Sequence, residues 1–400
     1  MKPQMLGLPV RKSKDITAIL KKDPITNLVR KEFPSAFLVG GYIRDLLLGK
    51  SSNDRDYVVT GKPDYEKIKK ISKSLGGSFF TLKNLARFVL KDQEIDITFT
   101  DETIERDLCK RDFTINSIAW SPQDQIIDLH GGLRDIKRRV IRIISSDNIR
   151  SDPLRILRAY RLAAENRCSI DPLTRRVLSG LRVLLKTSAK ERVTSELIKL
   201  LNLEQPDRHL KVAIDDKILQ VILDIKEADI INNFKKFKKL SVFYKKNKAY
   251  MPEITFSQRI NELGFLRLVC LSYKKKKWLI KLSKKNERLL EAFHKVLSVW
   301  RPEFFQDKKK LFEVFYDIKD FPEGLGFLLS NRRLLKEAKR FKETLKNPLI
   351  TGLDIVKGSD IKSRHIGILL KKLLALQFSG KVRTKEDALR EIHKLKGALK

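Results

Sequence analysis

The chain has 400 residues, with 85 Lys and Arg against 49 Asp and Glu, a formal net charge of +36 at pH 7. Such a surplus draws a protein onto polyanions, and 42% hydrophobic residues suffice for packed cores in roughly two to four domains, which excludes a largely disordered chain. No run of about 18 apolar residues occurs and the start MKPQMLGLPVRKSK lacks an apolar signal region, so a cytoplasmic protein without a membrane segment is expected. Cys109, Cys168 and Cys270 are too few and too scattered for a disulfide framework or a zinc cluster and are expected as small buried or half-buried residues. The histidines form no clustered set, which leaves no case for a histidine nucleophile or a zinc hydrolase.

Phe37, Leu38 and Val39 predict a short strand running into a Gly40-Gly41 turn, and Tyr42 to Leu48 predict a helix that Gly49 stops. Glycines let backbone N–H groups approach a ligand closely, and a helix start adds the positive end of its dipole, so a triphosphate is expected to rest at this turn. Asp54 and Asp56 stand at i and i+2 ahead of Tyr57-Val58-Val59. In an extended chain both carboxylates project from one face and suit the same hard cation. Further on, Phe88-Val89-Leu90, the polar Lys91-Asp92-Gln93 and Ile95 to Phe99 predict a hairpin that turns Asp96 away from Ile95, Ile97 and Phe99. If that face also carries Asp54 and Asp56, three carboxylates meet and hold two divalent ions about 3.5–4 Å apart, as in-line phosphoryl transfer requires.

Near residue 150 the texture changes from short β-like runs among helices to helical periodicity almost throughout, with turn signals at Gln205-Pro206-Asp207, Met251-Pro252 and Arg301-Pro302. Arg155, Arg158 and Arg161 recur every third residue and predict a basic ridge opposite an apolar stripe of Ile156, Ala159, Tyr160 and Ala163. Asp152 adds acceptors to the planar donors of Arg155, a pair suited to the pairing edge of cytosine or adenine. Lysines interleaved with aromatics, from Phe234 to Lys239, Tyr244 to Lys246 and Tyr273 to Trp278, suit either an RNA backbone or a solvated surface.

Several segments, in order, resemble the class II tRNA nucleotidyltransferases, the CCA-adding, CC-adding and A-adding enzymes and bacterial poly(A) polymerases of the DNA polymerase β superfamily. LVGGYIRDLLLG followed by DRDYVV places that family's metal-binding carboxylates on Asp54 and Asp56 and its nucleotide contacts on Gly41 and Arg44. DLCKRDFTINSIAW looks like its ribose-side motif, with Arg111 and Asp112, and IIDLHGGLRDIKRRVIR matches a further element at Asp128, Gly131, Gly132 and Asp135. SDPLRILRAYRLAA carries the base-reading pair onto Asp152 and Arg155 and further arginines onto Arg158 and Arg161, with Ser151 where the family usually has glutamate. ERVTSELIKLL resembles the neck helix, with Glu191 and Glu196 as structural residues. The stretch from Thr351 to Leu389 resembles the terminal helical element, in which Gly352, Gly358 and Gly367 permit turns, close RNA approach or simple helix punctuation.

The resemblance implies an α+β architecture. A DNA polymerase β-like nucleotidyltransferase head, a mixed sheet with helices, is expected over residues 1–150, followed by a helical neck at 151–205 that reads the base, a helical body at 206–345 and a helical tail at 346–400 that holds tRNA. It implies template-independent addition of C, A or both to the 3′ end of tRNA from CTP and ATP, with pyrophosphate released. Mg2+ is expected in a two-metal site on Asp54, Asp56 and Asp96, with Gly40, Gly41 and Arg44 steadying the phosphates and no protein partner implied. The alternatives are a poly(A) polymerase sharing the head and neck, and a basic RNA-binding module without activity, against which the three acidic candidates speak.

Overall fold

A computed structural model of the chain describes residues 10–357 and 363–397, so Gly358 lies outside the described residues. The chain divides into two compact units, Met1–Ile222 and Leu223–Lys400.

The first unit opens with helices α1 (Ser13–Lys21) and α2 (Pro24–Glu32). It continues through β1 (Phe37–Val39), α3 (Gly41–Leu47), β2 (Asp54–Thr60), α4 (Tyr65–Leu75), β3 (Ser78–Leu82), β4 (Leu85–Val89), β5 (Glu94–Thr100), α5 (Ile104–Cys109), β6 (Ile118–Trp120), β7 (Ile126–Asp128) and α6 (Gly132–Arg138). Its 7-stranded sheet has the order β3-β4-β5-β2-β1-β6-β7. Within it β2 and β5 run parallel and every other neighbouring pair is antiparallel. The hairpin predicted around Lys91-Asp92-Gln93 is β4–β5. Helix ends follow local chemistry: Asp23 caps α2 by accepting from the Thr26 N–H, and Asp64 caps α4 through the N–H groups of Glu66 and Lys67. Gly49 beyond α3 and Gly76 at the end of α4 take positive φ, which stops both helices.

Alternation sorts the residues of β2 onto two faces. Val58 joins Val39, Ala119, Ile104 and Leu108 in an apolar cluster beneath α5. The other face turns Tyr57 toward α2, where its hydroxyl lies 2.8 Å from Thr26 Oγ1. In β5, Ile95, Ile97 and Phe99 are buried, and Phe99 meets Phe33 edge-on with centroids 5.3 Å apart.

The rest of this unit comprises β8 (Val140–Ile141), α7 (Ser146–Ser151), α8 (Leu154–Glu165), β9 (Ser169–Ile170), α9 (Pro172–Gly180), α10 (Lys190–Asn202) and α11 (Asp207–Asp215). As the apolar stripe predicts, α8 buries Ile156, Ala159, Tyr160 and Ala163, and it packs against α10 and α11. One departure from continuous helix is β9, which pairs parallel with β8 and is too short to carry a period of its own. Cys168 and Cys270 are buried as expected, whereas Cys109, at the end of α5, is exposed.

The described residues of the second unit form helices and connecting segments without strands. Aromatic rings hold part of its core: Phe341 lies 5.3 Å from Phe312, 5.5 Å from Phe315 and 6.1 Å from Phe378 between centroids. Gly352 begins the helix Gly352–Lys357 and Gly367 lies inside the helix Ser363–Ser379, so neither occupies a turn. Among the described residues no helix is long and apolar enough to cross a membrane.

Candidate active site

The parallel register of β2 on β5 sets Asp54 opposite Glu94 and Asp56 opposite Asp96, so the predicted carboxylates do share one face. Burial raises the Asp54 carboxyl above its ordinary value, and Glu94 raises it further while Lys199 partly offsets them. Asp56 is also raised, by burial first, with Arg111 opposing and the charges of Asp96 and Asp54 adding. Two carboxyls held up by burial and neighbouring negative charge are stabilised by a cation placed between them, and their position suits a hard divalent ion. The three predicted carboxylates meet on this face, where the charge of Asp96 raises both Asp54 and Asp56, and Asp96 has in addition a partner of its own. Asp96 is held by Arg87 of β4 through two hydrogen bonds, Nε to Oδ1 at 2.7 Å and Nη2 to Oδ2 at 2.6 Å. Among the described residues no three His, Cys, Asp or Glu side chains form a group able to hold a metal ion. The protein therefore offers Asp54 and Asp56 as the open pair, an arrangement that suits a cation completing its shell with water and substrate phosphates.

Facing these carboxylates is the Gly40-Gly41 turn. Gly40 has φ +75°, and a Cβ there would stand 2.8 Å from Arg111 Nη1 and 3.7 Å from Asp56 Oδ2, so the turn needs glycine both for its backbone and for its neighbours. Arg44, on α3, is buried and bonds Asp45 Oδ1 through Nε at 2.9 Å and Asn116 Oδ1 through Nη1 at 2.5 Å. Arg111 pairs with Asp107 at 2.8 Å. Asp112 accepts from the Phe113 N–H at 2.8 Å and from Asn116 Nδ2 at 2.9 Å.

The segment matching at Asp128, Gly131, Gly132 and Asp135 supports this wall from behind. Asp128 caps α6 by accepting from the N–H groups of Gly132 and Leu133, and Asp135 accepts from Thr114 Oγ1 at 2.8 Å. A Cβ on Gly132 would lie 2.2 Å from the Thr114 carbonyl oxygen and 2.9 Å from Ile118 Cγ1. Gly132→Ala is expected to destabilise the fold by about 2–3 kcal/mol through overpacking against backbone, read as a lower denaturation midpoint. An unchanged midpoint would show that the turn before β6 does not depend on this close approach.

Helix α8 supplies the opposite wall. Arg158 Nε stands 3.2 Å from Asp112 Oδ2, and Arg155 Nη1 donates to the carbonyls of Lys110 at 2.9 Å and Asn148 at 3.1 Å. Arg161, read from the sequence as part of a basic ridge and as a further nucleotide-side arginine, is committed to Glu196 of α10 at 2.6 Å and to Glu165. Asp152, at the end of α7, pairs with Arg192 of α10 at 2.9 Å. Asp152 and Arg155 thus stand on one wall, joined through the backbone, where the Arg155 N–H donates to the Asp152 carbonyl at 3.0 Å. Lys50 donates to the Glu165 carbonyl at 2.8 Å, anchoring the C-terminal end of α8.

These walls enclose a cavity of about 670 Å³ lined by Gly40, Gly41, Arg44, Asp54, Asp56, Arg111, Asp112, Asp152, Arg155, Arg158 and Arg161. Asp96 is the one sequence candidate outside the lining. Sequence reasoning missed Asn116, Lys199 and Asn202, which also line it. Asn116 stood in plain view four residues after Asp112, in Asp112-Phe113-Thr114-Ile115-Asn116.

Residues 36–142 match the Poly A polymerase head domain, and residues 168–229 match the probable RNA and SrmB-binding site of polymerase A. The chain is 29% identical over 385 residues to a CC-adding tRNA nucleotidyltransferase of Synechocystis sp., covering 89% of this chain and 92% of that protein. It is 40% identical over 186 residues to a CC-adding tRNA nucleotidyltransferase of Geobacter sulfurreducens, covering 45% of this chain and 43% of that one. Its fold is similar to that of a CCA-adding enzyme in complex with ATP, with TM-score 0.73, 22% identity and coverage of 98% of this chain and 100% of the other. With a mixed-sheet head, a helical remainder and matches in both regions, the chain is similar in sequence and in fold to the class II tRNA nucleotidyltransferases.

Proposed function

We propose that this enzyme extends the 3′ end of tRNA with C, from CTP, and that the same site accepts ATP where A is added. The observation that carries the reading is one cavity lined by a carboxylate pair, a glycine turn and the Asp152–Arg155 wall. Cytosine and adenine both present an amino donor beside an unprotonated ring nitrogen, whereas uracil and guanine present a carbonyl beside an N–H. A carboxylate with a guanidinium matches the first pattern and opposes the second. Asp152 and Arg155 are thereby assigned as the base readers. Both relatives named above are CC-adding, which favours CTP as the first substrate.

Nucleotidyltransferases of this family generally use divalent metal ions, and Asp54 and Asp56 are the residues assigned to hold them, with Mg2+ as the proposed ion. When bound, such ions favour the ionised terminal hydroxyl of the RNA and neutralise the departing pyrophosphate. The chain's own residues do the positioning. Gly40 and Gly41 bring backbone to the phosphates, Arg44 and Arg111 set positive charge beside them, and Asp112 faces the sugar. The ribose 3′ oxygen forms its bond to the α-phosphorus as the bond from that phosphorus to the bridging oxygen breaks. Because both carboxyls are held above their ordinary range, divalent affinity is expected to weaken as pH falls through the raised values, where protons compete for the pair.

The test is extension of tRNA transcripts ending before CCA, after CC or complete, with Mg2+ and with CTP and ATP singly and together, resolved to single nucleotides. Growth by CC on the first transcript supports the reading, and further growth with ATP extends it to CCA. Long A tails on any RNA would replace it with poly(A) polymerase, and no extension would leave a basic RNA-binding protein.

A further inference from the structure

A line of polar contacts crosses the cavity wall from α3 to α8. Arg44 Nη1 donates to Asn116 Oδ1 at 2.5 Å, Asn116 Nδ2 donates to Asp112 Oδ1 at 2.9 Å, and Asp112 Oδ2 stands 3.2 Å from Arg158 Nε. Asn116 is 6% exposed and lines the cavity, and its turn is fixed by the Asn116 N–H bonding the Phe113 carbonyl and by Gly132 pressed against Thr114. Its amide can present an acceptor to a cation and a donor to an anion at once, which alanine cannot do at all and aspartate can do only toward the cation. Without that spacer, the guanidinium of Arg44 and the carboxylate of Asp112 would be free to turn toward each other and away from the cavity.

We infer that Asn116 is a positioning residue for the incoming nucleotide, holding Arg44 toward its phosphates and Asp112 toward its sugar hydroxyls. This rests on the nucleotide-adding function proposed above. Asn116 touches neither reacting atom, so its removal should act on nucleotide binding and sugar selection rather than on every step alike.

The experiment compares the full-length wild type with Asn116→Ala and Asn116→Asp, using CTP and 2′-deoxy-CTP on a tRNA transcript lacking CCA. In both variants the KM for CTP is expected to rise about tenfold or more, with the KM for tRNA unchanged and the preference for CTP over 2′-deoxy-CTP reduced. A folded variant that keeps the wild-type KM for CTP and the wild-type preference overturns the inference. So does an equal fall in kcat for both nucleotides with KM unchanged, which is what a merely structural residue would give. If Asn116→Ala does not fold, the near-isosteric Asn116→Asp carries the same comparison. A wild type that extends no tRNA overturns the proposed function itself, a result separate from neutral variants in an active enzyme.

Discussion

Asp56→Asn is expected to lower the rate of nucleotide addition by about a thousandfold or more, and Asp54→Asn by a similar factor, with the fold intact. Asparagine keeps the shape of the side chain and removes the charge that burial and neighbouring carboxylates already make costly to hold. Since that cost weighs against the native state, either variant should be as stable as the wild type or slightly more so at neutral pH, while losing activity. Asp96→Asn makes the informative comparison. Asp96 is bound bidentately to Arg87 and lies outside the cavity lining, so its loss should cost activity much less, about tenfold. Single-turnover extension of a tRNA transcript measures all three. A wild-type rate in Asp56→Asn would remove the metal-holding assignment, and equal losses at all three positions would mean that Asp96 leaves Arg87 to join the pair during the reaction.

The largest expected effect on stability comes from the opposite face of the same strand. Arg55 is buried, and its guanidinium bonds Asp23 Oδ1 at 2.8 Å, Gln93 Oε1 at 2.8 Å and the Tyr42 hydroxyl at 3.0 Å. Arg55→Ala strands the carboxylate of Asp23 and is expected to cost about 3–5 kcal/mol, since breaking a buried pair leaves an uncompensated charge. Burial pushes the Asp23 carboxyl up, but hydrogen bonds from Thr26 and Arg55 outweigh it and hold the group below its ordinary value. A carboxyl lowered by folding stabilises above its unfolded value of about 4, and that contribution fades as pH falls through the folded value. The wild type should therefore lose stability below about pH 4 more steeply than Arg55→Ala. Denaturant midpoints across that range decide the matter, and parallel pH profiles would show that the pair contributes nothing to folding.

What could be read from the sequence was whatever lies close along the chain. The Gly40-Gly41 turn, the i, i+2 carboxylates of β2, the β4–β5 hairpin and the arginine spacing of α8 are local patterns, and the structure places them as the spacing predicts. Asp96 shows where local reading stops. Alternation put it on the face away from Ile95, Ile97 and Phe99, but that this is the face of Asp54 and Asp56 depends on the register of β5 on β2, and its partner depends on β4 setting Arg87 directly opposite, registers that alternation leaves open. Arg161 was likewise legible as a basic residue on a helix and illegible as one clamped by Glu196, because that contact depends on how α8 and α10 pack. Arg192 and Lys199 had no signal of their own, being ordinary cations on a helix whose facing was unknown until it was folded.

The parallel pairing of β2 with β5 also governs when the enzyme comes into being. Asp54 and Asp56 leave the ribosome well before Glu94 to Thr100, the strand that docks beside them, with α4, β3 and β4 lying between the two in the chain. Until residue 100 has emerged, Tyr57, Val58 and Val59 lack one of the two neighbours that flank β2 in the finished sheet. A nascent head is therefore both inactive and sticky, and such non-local pairing is slow to form. A fragment of the head that ends before β5 is therefore expected to be inactive, since it lacks the parallel neighbour of the strand that carries Asp54 and Asp56.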